Sequence, residues 1–111
     1  MRTLLKFSIP VENGNAGLSD GSIAKTMESI LSELKPEAAY FGTDGGVRGG
    51  LIVFDLKDAS QIPAICEPFF LALHAKVTFQ PVMNLQDLQK ALSGIDATVK
   101  KYHGTAKGKA A

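Results

Sequence analysis

The sequence predicts a single α+β domain in which strands and helices follow the order βαββαβ, with one more helix at the C-terminal end. Some segments alternate apolar and polar residues, as strands do, and others repeat apolar residues every three or four positions, as helices do. Residues 51–54 are consecutively apolar, which indicates a strand that is covered on both faces. The chain has 111 residues, 45% of them hydrophobic, which is enough for one core.

The first strand and the first helix are predicted from the start of the chain. Residues 3–11 alternate, which predicts strand one, and the glycine- and asparagine-rich residues 13–17 predict a loop. Ser19 or Asp20 is expected to cap the helix that follows, which ends before Pro36. Its apolar stripe, which must lie on a sheet, consists of Ile23, Met27, Ile30, Leu31 and Leu34.

A glycine-rich hairpin is predicted in the middle of the chain. Residues 38–41 predict a short second strand, and the glycines between residues 42 and 50 predict a turn into a third strand, residues 50–56. The backbone N–H groups of this turn, together with Arg48, could bind an anion. A turn without a binding role is the other interpretation, because Asp-Gly and Gly-Gly are common in hairpins.

The second half of the chain predicts a helix, a strand and a final helix. Asp58 or Ser60 is expected to cap the second main helix, and Pro68 predicts a kink or a restart within it. The apolar stripe of this helix is Ile62, Ile65, Cys66, Phe69, Phe70 and Leu73. Residues 75–83 alternate, and Pro81 places this fourth strand at a sheet edge. Asn84 and Asp87 then predict a capped C-terminal helix.

This order of elements predicts a ferredoxin-like, antiparallel sheet of order 4-1-3-2 with right-handed crossovers. Both main helices would cover one sheet face, which leaves half of the apolar residues 51–54 without a cover on the other face. The sheet of a second copy is the simplest cover, so we expect a homodimer formed through sheet faces. We expect residues 1–102 to be a single domain and residues 103–111 to be a basic flexible tail.

Two segments carry a resemblance to known proteins. Residues 62–70, with the sequence IPAICEPFF, are followed by FQPVM at residues 79–83 and by Asp87-Leu88. This pattern resembles small uncharacterised bacterial proteins of the dimeric α+β barrel group. Larger relatives there include muconolactone isomerase-like enzymes and antibiotic-biosynthesis monooxygenase-like proteins, which share a cleft between sheet and helices. The resemblance implies a dimer rather than a particular reaction.

Composition excludes several classes of function. Cys66 is the only cysteine, so neither an intramolecular disulfide nor a cysteine-based zinc site can form, and we expect no metal and no cofactor. Lys6 and Pro10 interrupt the first apolar run, so we expect no signal peptide, no membrane span and a cytoplasmic location. Residues 1–99 carry eight basic and eleven acidic groups, which argues against nucleic-acid binding.

Two short patterns have a structural explanation. Residues 17–21 match G-x-S-x-G, the pattern of a hydrolase nucleophile turn, but a Ser-Asp pair before a helix is explained by capping. Residues 48–54 can be compared with the RNA-binding strand of similar sheets, which stacks bases on aromatic side chains. Gly50 and Ile52 stand where those aromatic residues would be needed, so RNA binding is not expected.

Four residues are candidates for binding a ligand: Tyr40, Arg48, His74 and Met83. No catalytic residue is identified, because His74 could act as a general base only if its helix end lines a cleft. We expect a homodimeric small-molecule-binding or accessory domain. The alternative is a small cofactor-independent enzyme, isomerase-like or monooxygenase-like, that uses the cleft. A pocket lined by Tyr40 and a titratable group would favour the enzyme, and a cleft filled by Phe and Met the binding domain.

Overall fold

The structure, a computed structural model, describes residues 1–104 and contains a four-stranded antiparallel sheet. Its strands are β1 (Arg2–Ser8), β2 (Ala38–Asp44), β3 (Val47–Asp55) and β4 (Lys76–Pro81). The strand order is β2-β3-β1-β4, so β1 and β3 are central and β4 is an edge strand that ends at Pro81. This architecture confirms the ferredoxin-like α+β fold and all four predicted strands, although β1 ends at Ser8, and Val11, which the sequence places in strand one, begins a helix.

Three helices cover one face of the sheet, and a helical extension follows β4. The covering helices are α1 (Val11–Asp20), α2 (Ser22–Leu34) and α3 (Ile62–Leu73). The extension comprises α4 (Leu85–Ser93), α5 (Asp96–Val99) and a π-helical segment (Lys100–Gly104), and we call residues 85–104 the C-terminal arm. The rest of the predicted basic tail, residues 105–111, lies outside the described residues, and the prediction of a single domain remains a prediction.

The core lies between the sheet and the covering helices. Leu5 of β1 pairs with Ile52 of β3, and both side chains are fully buried beneath the helices. Phe69 of α3 packs against Phe7 of β1, with ring centroids 5.1 Å apart. Removing these large side chains from water is the main favourable contribution to folding. The helix stripe predicted between residues 23 and 34 joins this core as expected.

The segment before α2 differs from the prediction, because residues 13–17 belong to helix α1 rather than to a loop. Glycines are poor helix formers, but here Gly14 and Gly17 are buried and let α1 approach its neighbours closely. Ser19 lies inside α1, where its hydroxyl donates to the carbonyl of Asn15. Asp20 accepts the backbone N–H of Ser22, so it binds the first turn of α2 as expected. Tertiary packing therefore overrides local propensity in this segment.

The hairpin between β2 and β3 is tighter than predicted. Gly45 and Gly46 form a two-residue turn, and both have positive φ angles, 59° and 84°. This geometry matches the right-handed twist of the flanking strands and favours glycine at both positions. Strand β2 therefore continues to Asp44 and strand β3 begins at Val47, so both strands reach closer to the turn than predicted.

Asp58 caps a short 3-10 turn, Ala59–Gln61, that leads into helix α3, and α3 does not restart at Pro68. The Asp58 carboxylate accepts the N–H of Ser60, and the Gln61 side chain accepts the N–H of Asp58, which completes a capping box. Pro68 lies inside one uninterrupted helix. Phe70, which the apolar stripe included, points outward and is 43% exposed.

The second face of the sheet has no cover within the described chain. Leu51 and Val53 of β3 point to this face and are half-buried, whereas Tyr40 of β2 is 67% exposed there. Their neighbours on β1 are Leu4 and Lys6. We call the surface formed by these five residues the open sheet face. Part of the apolar stretch 51–54 is therefore left without a helical cover, as the sequence indicates.

The C-terminal arm projects away from the sheet and the covering helices. Asn84 and Asp87 form the predicted capping box at its start, but Gly94 divides the predicted single helix. The described molecule measures 66 Å along its longest axis and only 28 and 22 Å along the others. The arm's apolar side chains are 40–65% exposed: Leu85, Leu88, Leu92, Ile95, Val99 and Tyr102. No strand or helix of residues 1–84 makes extensive contact with the arm.

Candidate functional site

An apolar pocket lies between helices α1 and α2 and the β2 side of the sheet. Its volume is about 260 Å³, and we call it the α1 pocket. It is lined by Phe7, Ile9, Leu18, Ile23, Met27, Phe41, Gly42, Arg48 and Gly49. Because β2 is an edge strand, the pocket is open on that side, where Leu18 and Phe41 are more than half exposed. Large apolar side chains in these positions form a surface that favours an apolar ligand.

Two phenylalanine rings shape the pocket. Phe7 is buried, and Phe41 crosses it edge to face, with 6.4 Å between ring centroids and 65° between ring planes. Phe7 is also held from the other side by Phe69 of the core. The ring of Phe7 therefore cannot move without disturbing the core, whereas Phe41 has room to move on the open side.

Arg48 supplies the charge of the α1 pocket. Its Nη2 donates to Asn15 Oδ1 at 3.0 Å and its Nη1 to the carbonyl of Val11 at 3.4 Å, so its guanidinium lies across helix α1. A guanidinium has five N–H donors, and these two bonds leave others for a ligand. No ion pair of Arg48 with a carboxylate occurs within residues 1–104. The pocket thus combines an apolar lining with a cation whose charge is not neutralised by a described acidic group.

The glycines of α1 make this arrangement possible. A Cβ atom on Gly14 would lie 2.5 Å from Arg48 Nη1, and a Cβ on Gly17 would overlap the Ile23 side chain. Any larger residue at position 14 would push the guanidinium away from its bonds with α1. The close packing of α1 on Arg48 therefore depends on a missing side chain.

The structure separates the other candidate residues from this pocket. Tyr40 lies on the open sheet face, opposite to the side on which Arg48 contacts α1. His74 ends helix α3 with a positive φ of 52° and is exposed, and Met83 is exposed after β4 at the other end of that strand. As binding residues these three remain predictions, and Arg48 alone lines the α1 pocket.

Cys66 and the acidic residues form no second reactive site in the part of the chain that the structure describes. Cys66 is buried in helix α3, and this burial raises the pKa of its thiol, so the thiol stays protonated at neutral pH. Within residues 1–104, no three His, Cys, Asp or Glu side chains cluster closely enough to hold a metal ion. Over the same residues, no helix has both the length and the apolar character of a membrane span.

Sequence patterns missed most of the pocket. The sequence predicts Met27 only as part of an apolar helix stripe, and Phe7 and Phe41 only as strand residues. Leu18 was assigned to no apolar stripe, because the helix that carries it was predicted as a loop. Leu18, a large apolar residue in no predicted stripe that follows Gly14 and Gly17, was the one signal that could have indicated the pocket.

Comparison with known proteins supports the fold. No family model matches the sequence, and no curated protein matches it. Among solved structures, the chain is similar to 5-chloro-2-hydroxyhydroquinone dehydrochlorinase from Burkholderia phenoliruptrix, solved in complex with 2,5-dihydroxybenzoquinone. The similarity covers 78% of this chain and 97% of that chain, with a TM-score of 0.59 and 14% sequence identity. The chain therefore has the same α+β fold as that dehydrochlorinase.

Proposed function

We propose that the protein is a homodimeric domain that binds a small, ring-shaped, acidic molecule in the α1 pocket. The observation that carries this proposal is the apolar lining of the pocket together with the Arg48 guanidinium. The aromatic and methionine side chains around the pocket favour binding over catalysis, and its lining includes no His, Asp, Glu, Lys or Tyr side chain that could act as a general base.

The dimensions of the pocket indicate the size of the ligand. An apolar cavity of about 150 Å³ can hold a benzene molecule, and the α1 pocket, at about 260 Å³, has room for one substituted ring. Phe7 and Phe41 can pack against such a ring, and Arg48 can bind an acidic oxygen on it with charge-assisted hydrogen bonds. The related fold of a protein solved with 2,5-dihydroxybenzoquinone supports a ligand of this class.

We predict that 2,5-dihydroxybenzoquinone or benzoate raises the melting temperature, and that Arg48→Met weakens this binding about ten-fold to a hundred-fold. The loss follows from removing charge-assisted hydrogen bonds while keeping the apolar volume. Titration calorimetry on both proteins measures the change in Kd. Gly14→Ala should also weaken binding, because it displaces the Arg48 guanidinium without removing its charge.

Lys25→Met is the matched control for this prediction. Lys25 is an exposed cation on α2 that does not line the pocket, so its removal should leave the Kd unchanged. If neither ring compound binds at millimolar concentration, or if Arg48→Met and Lys25→Met bind equally well, the proposed site is wrong.

An enzymatic function is the second candidate, supported by the activity named for the structural neighbour. A dehydrochlorinase removes HCl from its substrate, so a chloride-selective electrode can follow the reaction. Chloride release from 5-chloro-2-hydroxyhydroquinone that exceeds the uncatalysed rate and depends on Arg48 would favour the enzyme. Binding of the ring without chloride release would favour the binding domain.

The homodimer is proposed through the open sheet face. Half-buried Leu51 and Val53 and exposed Tyr40 form an apolar surface there, and a second copy of the same surface would cover it. We predict a dimer for the wild-type protein and a monomer for Tyr40→Glu, because the change would bury a carboxylate in the interface. Size-exclusion chromatography with light scattering measures both masses.

Leu71→Glu provides the control for the dimer. Leu71 is an exposed residue of α3 on the helical side of the molecule, and a carboxylate there should leave the mass unchanged. A wild-type monomer at micromolar concentration would contradict the dimer, and so would a Tyr40→Glu variant that remains dimeric.

A further inference from the structure

The C-terminal arm is an amphipathic helical segment whose apolar side makes no extensive contact with residues 1–84. Twenty residues of helix span about 30 Å, and six large apolar side chains along it are 40–65% exposed. Although Gly94 divides the arm, a monomer rarely leaves this many large apolar side chains of one segment in water. The first turn is fixed to the body of the molecule, where Asp87 forms an ion pair with Arg2 at 2.7 Å.

A groove between helices α2 and α3 offers a surface of matching character. It has a volume of about 590 Å³, and its apolar lining includes Ile30, Leu34, Phe54, Ala64 and Ile65. Glu33 and Asp55 line the groove together with Lys35 and Lys57, so the charges of the groove itself balance. An apolar groove between two helices is the kind of surface that binds the apolar side of a third helix.

Charge also favours contact between the arm and the helical layer. Residues 10–35 and 56–75, which form α1 to α3 and their connections, carry three basic and six acidic groups. Residues 85–111 carry five lysines and two aspartates. The arm and the residues after it are therefore basic, and the layer that contains the groove is acidic. Oppositely charged surfaces attract each other, and surfaces of the same charge repel each other.

The position of the arm makes the groove of a second copy the suitable partner. The arm begins beside Arg2, and Arg2 pairs across the sheet with Asp55, which lines the groove. The start of the arm and the groove therefore lie at the same end of the sheet, but the arm makes no extensive contact with α2 or α3 of its own copy. Two copies related by a two-fold axis near this end can each place an arm on the other.

We propose that the C-terminal arm of each copy binds in the α2–α3 groove of the other copy, so that the dimer is completed by exchanged helices. The inference rests on the proposed dimer, to which it adds a second contact between the copies. The apolar stripe of the arm, centred on Leu92 and Ile95, would face Ile65 and Ala64 of the partner copy's groove.

Cross-linking between two differently tagged full-length chains tests this proposal. In a Cys66→Ala background, one chain carries Leu92→Cys and the other Ala64→Cys, and both are produced together in one cell. With this pair of cysteines, a short bismaleimide is expected to give about ten-fold more mixed cross-linked dimer than it gives with the control pair Leu92→Cys and Ala24→Cys. Binding of the arm raises the effective concentration of the two thiols only in the first pair. Ala24 is exposed on α2 and does not line the groove.

A labelling experiment provides an independent measurement. The Ala64→Cys thiol should react with a maleimide several-fold faster when the arm also carries Leu92→Asp and Ile95→Asp, since charged residues would release the arm. The arm side chains are exposed, so these changes should not unfold the body. Two results would overturn the arm exchange in a protein that light scattering shows to be dimeric: unchanged labelling of position 64, or equal cross-linking at positions 64 and 24. Either result would leave the sheet-face dimer intact. A monomeric protein would contradict both.

Discussion

Phe69→Ala is expected to lower the free energy of unfolding by about 3–5 kcal/mol, because it leaves a cavity at the centre of the core. Phe69 is fully buried and packs against Phe7, which is in turn the inner ring of the α1 pocket. The loss of its support should also loosen Phe7 and weaken ligand binding. Urea denaturation monitored by circular dichroism measures the change in stability.

Phe70→Ala is the matched control on the same helix. Phe70 follows Phe69 in sequence but points outward, so its removal should cost no more than about 1 kcal/mol. Equal losses for the two variants would show that α3 does not face the sheet with Phe69, which would contradict the described core.

Gly49→Ala is expected to destabilise the protein by about 3 kcal/mol, the upper end of the usual cost of overpacking. A Cβ atom at this position of β3 would overlap the backbone carbonyl oxygen of Phe7 on β1. That oxygen belongs to the central strand pair of the sheet and cannot move aside as a flexible side chain could. Denaturant unfolding compared with the wild-type protein measures the loss.

Gly42→Ala tests whether the cost comes from this overlap. Gly42 pairs with Gly49 across the β2–β3 ladder, and no atom lies within 4 Å of the Cβ that alanine would add there. Its substitution should change stability by no more than about 0.5 kcal/mol. A similar loss at both positions would point to a general requirement for glycine in the hairpin and against a specific clash with Phe7.

The fold could be predicted from sequence to a greater extent than the site. Alternation in β1 and β4, the apolar stripe of α2 and the capping residues Asp58 and Asn84 are local patterns, and each predicts the structure correctly. The pocket is instead made by residues from five separate elements. Its walls meet because α1 crosses over Arg48, and no local pattern reports that crossing.

Helix α1 illustrates why the prediction failed where it did. Two glycines and two asparagines within ten residues favour a loop when only local propensity is considered. Packing reverses this preference, because the absence of side chains at Gly14 and Gly17 lets the helix lie against Arg48 and Ile23. The benefit of that close contact depends on residues more than thirty positions away as well as on near neighbours.

Periodicity and capping, read from neighbouring residues, were sufficient to specify the four strands, the two main helices and the apolar surface of β3, but neither helix α1 nor the break at Gly94. Those features follow from which side chains share a face, and this depends only on the local repeat of the backbone. The α1 pocket, the outward direction of Phe70 and the unpartnered arm were decided by tertiary packing. They depend on distances between segments far apart in the chain, which a repeat along the sequence does not encode.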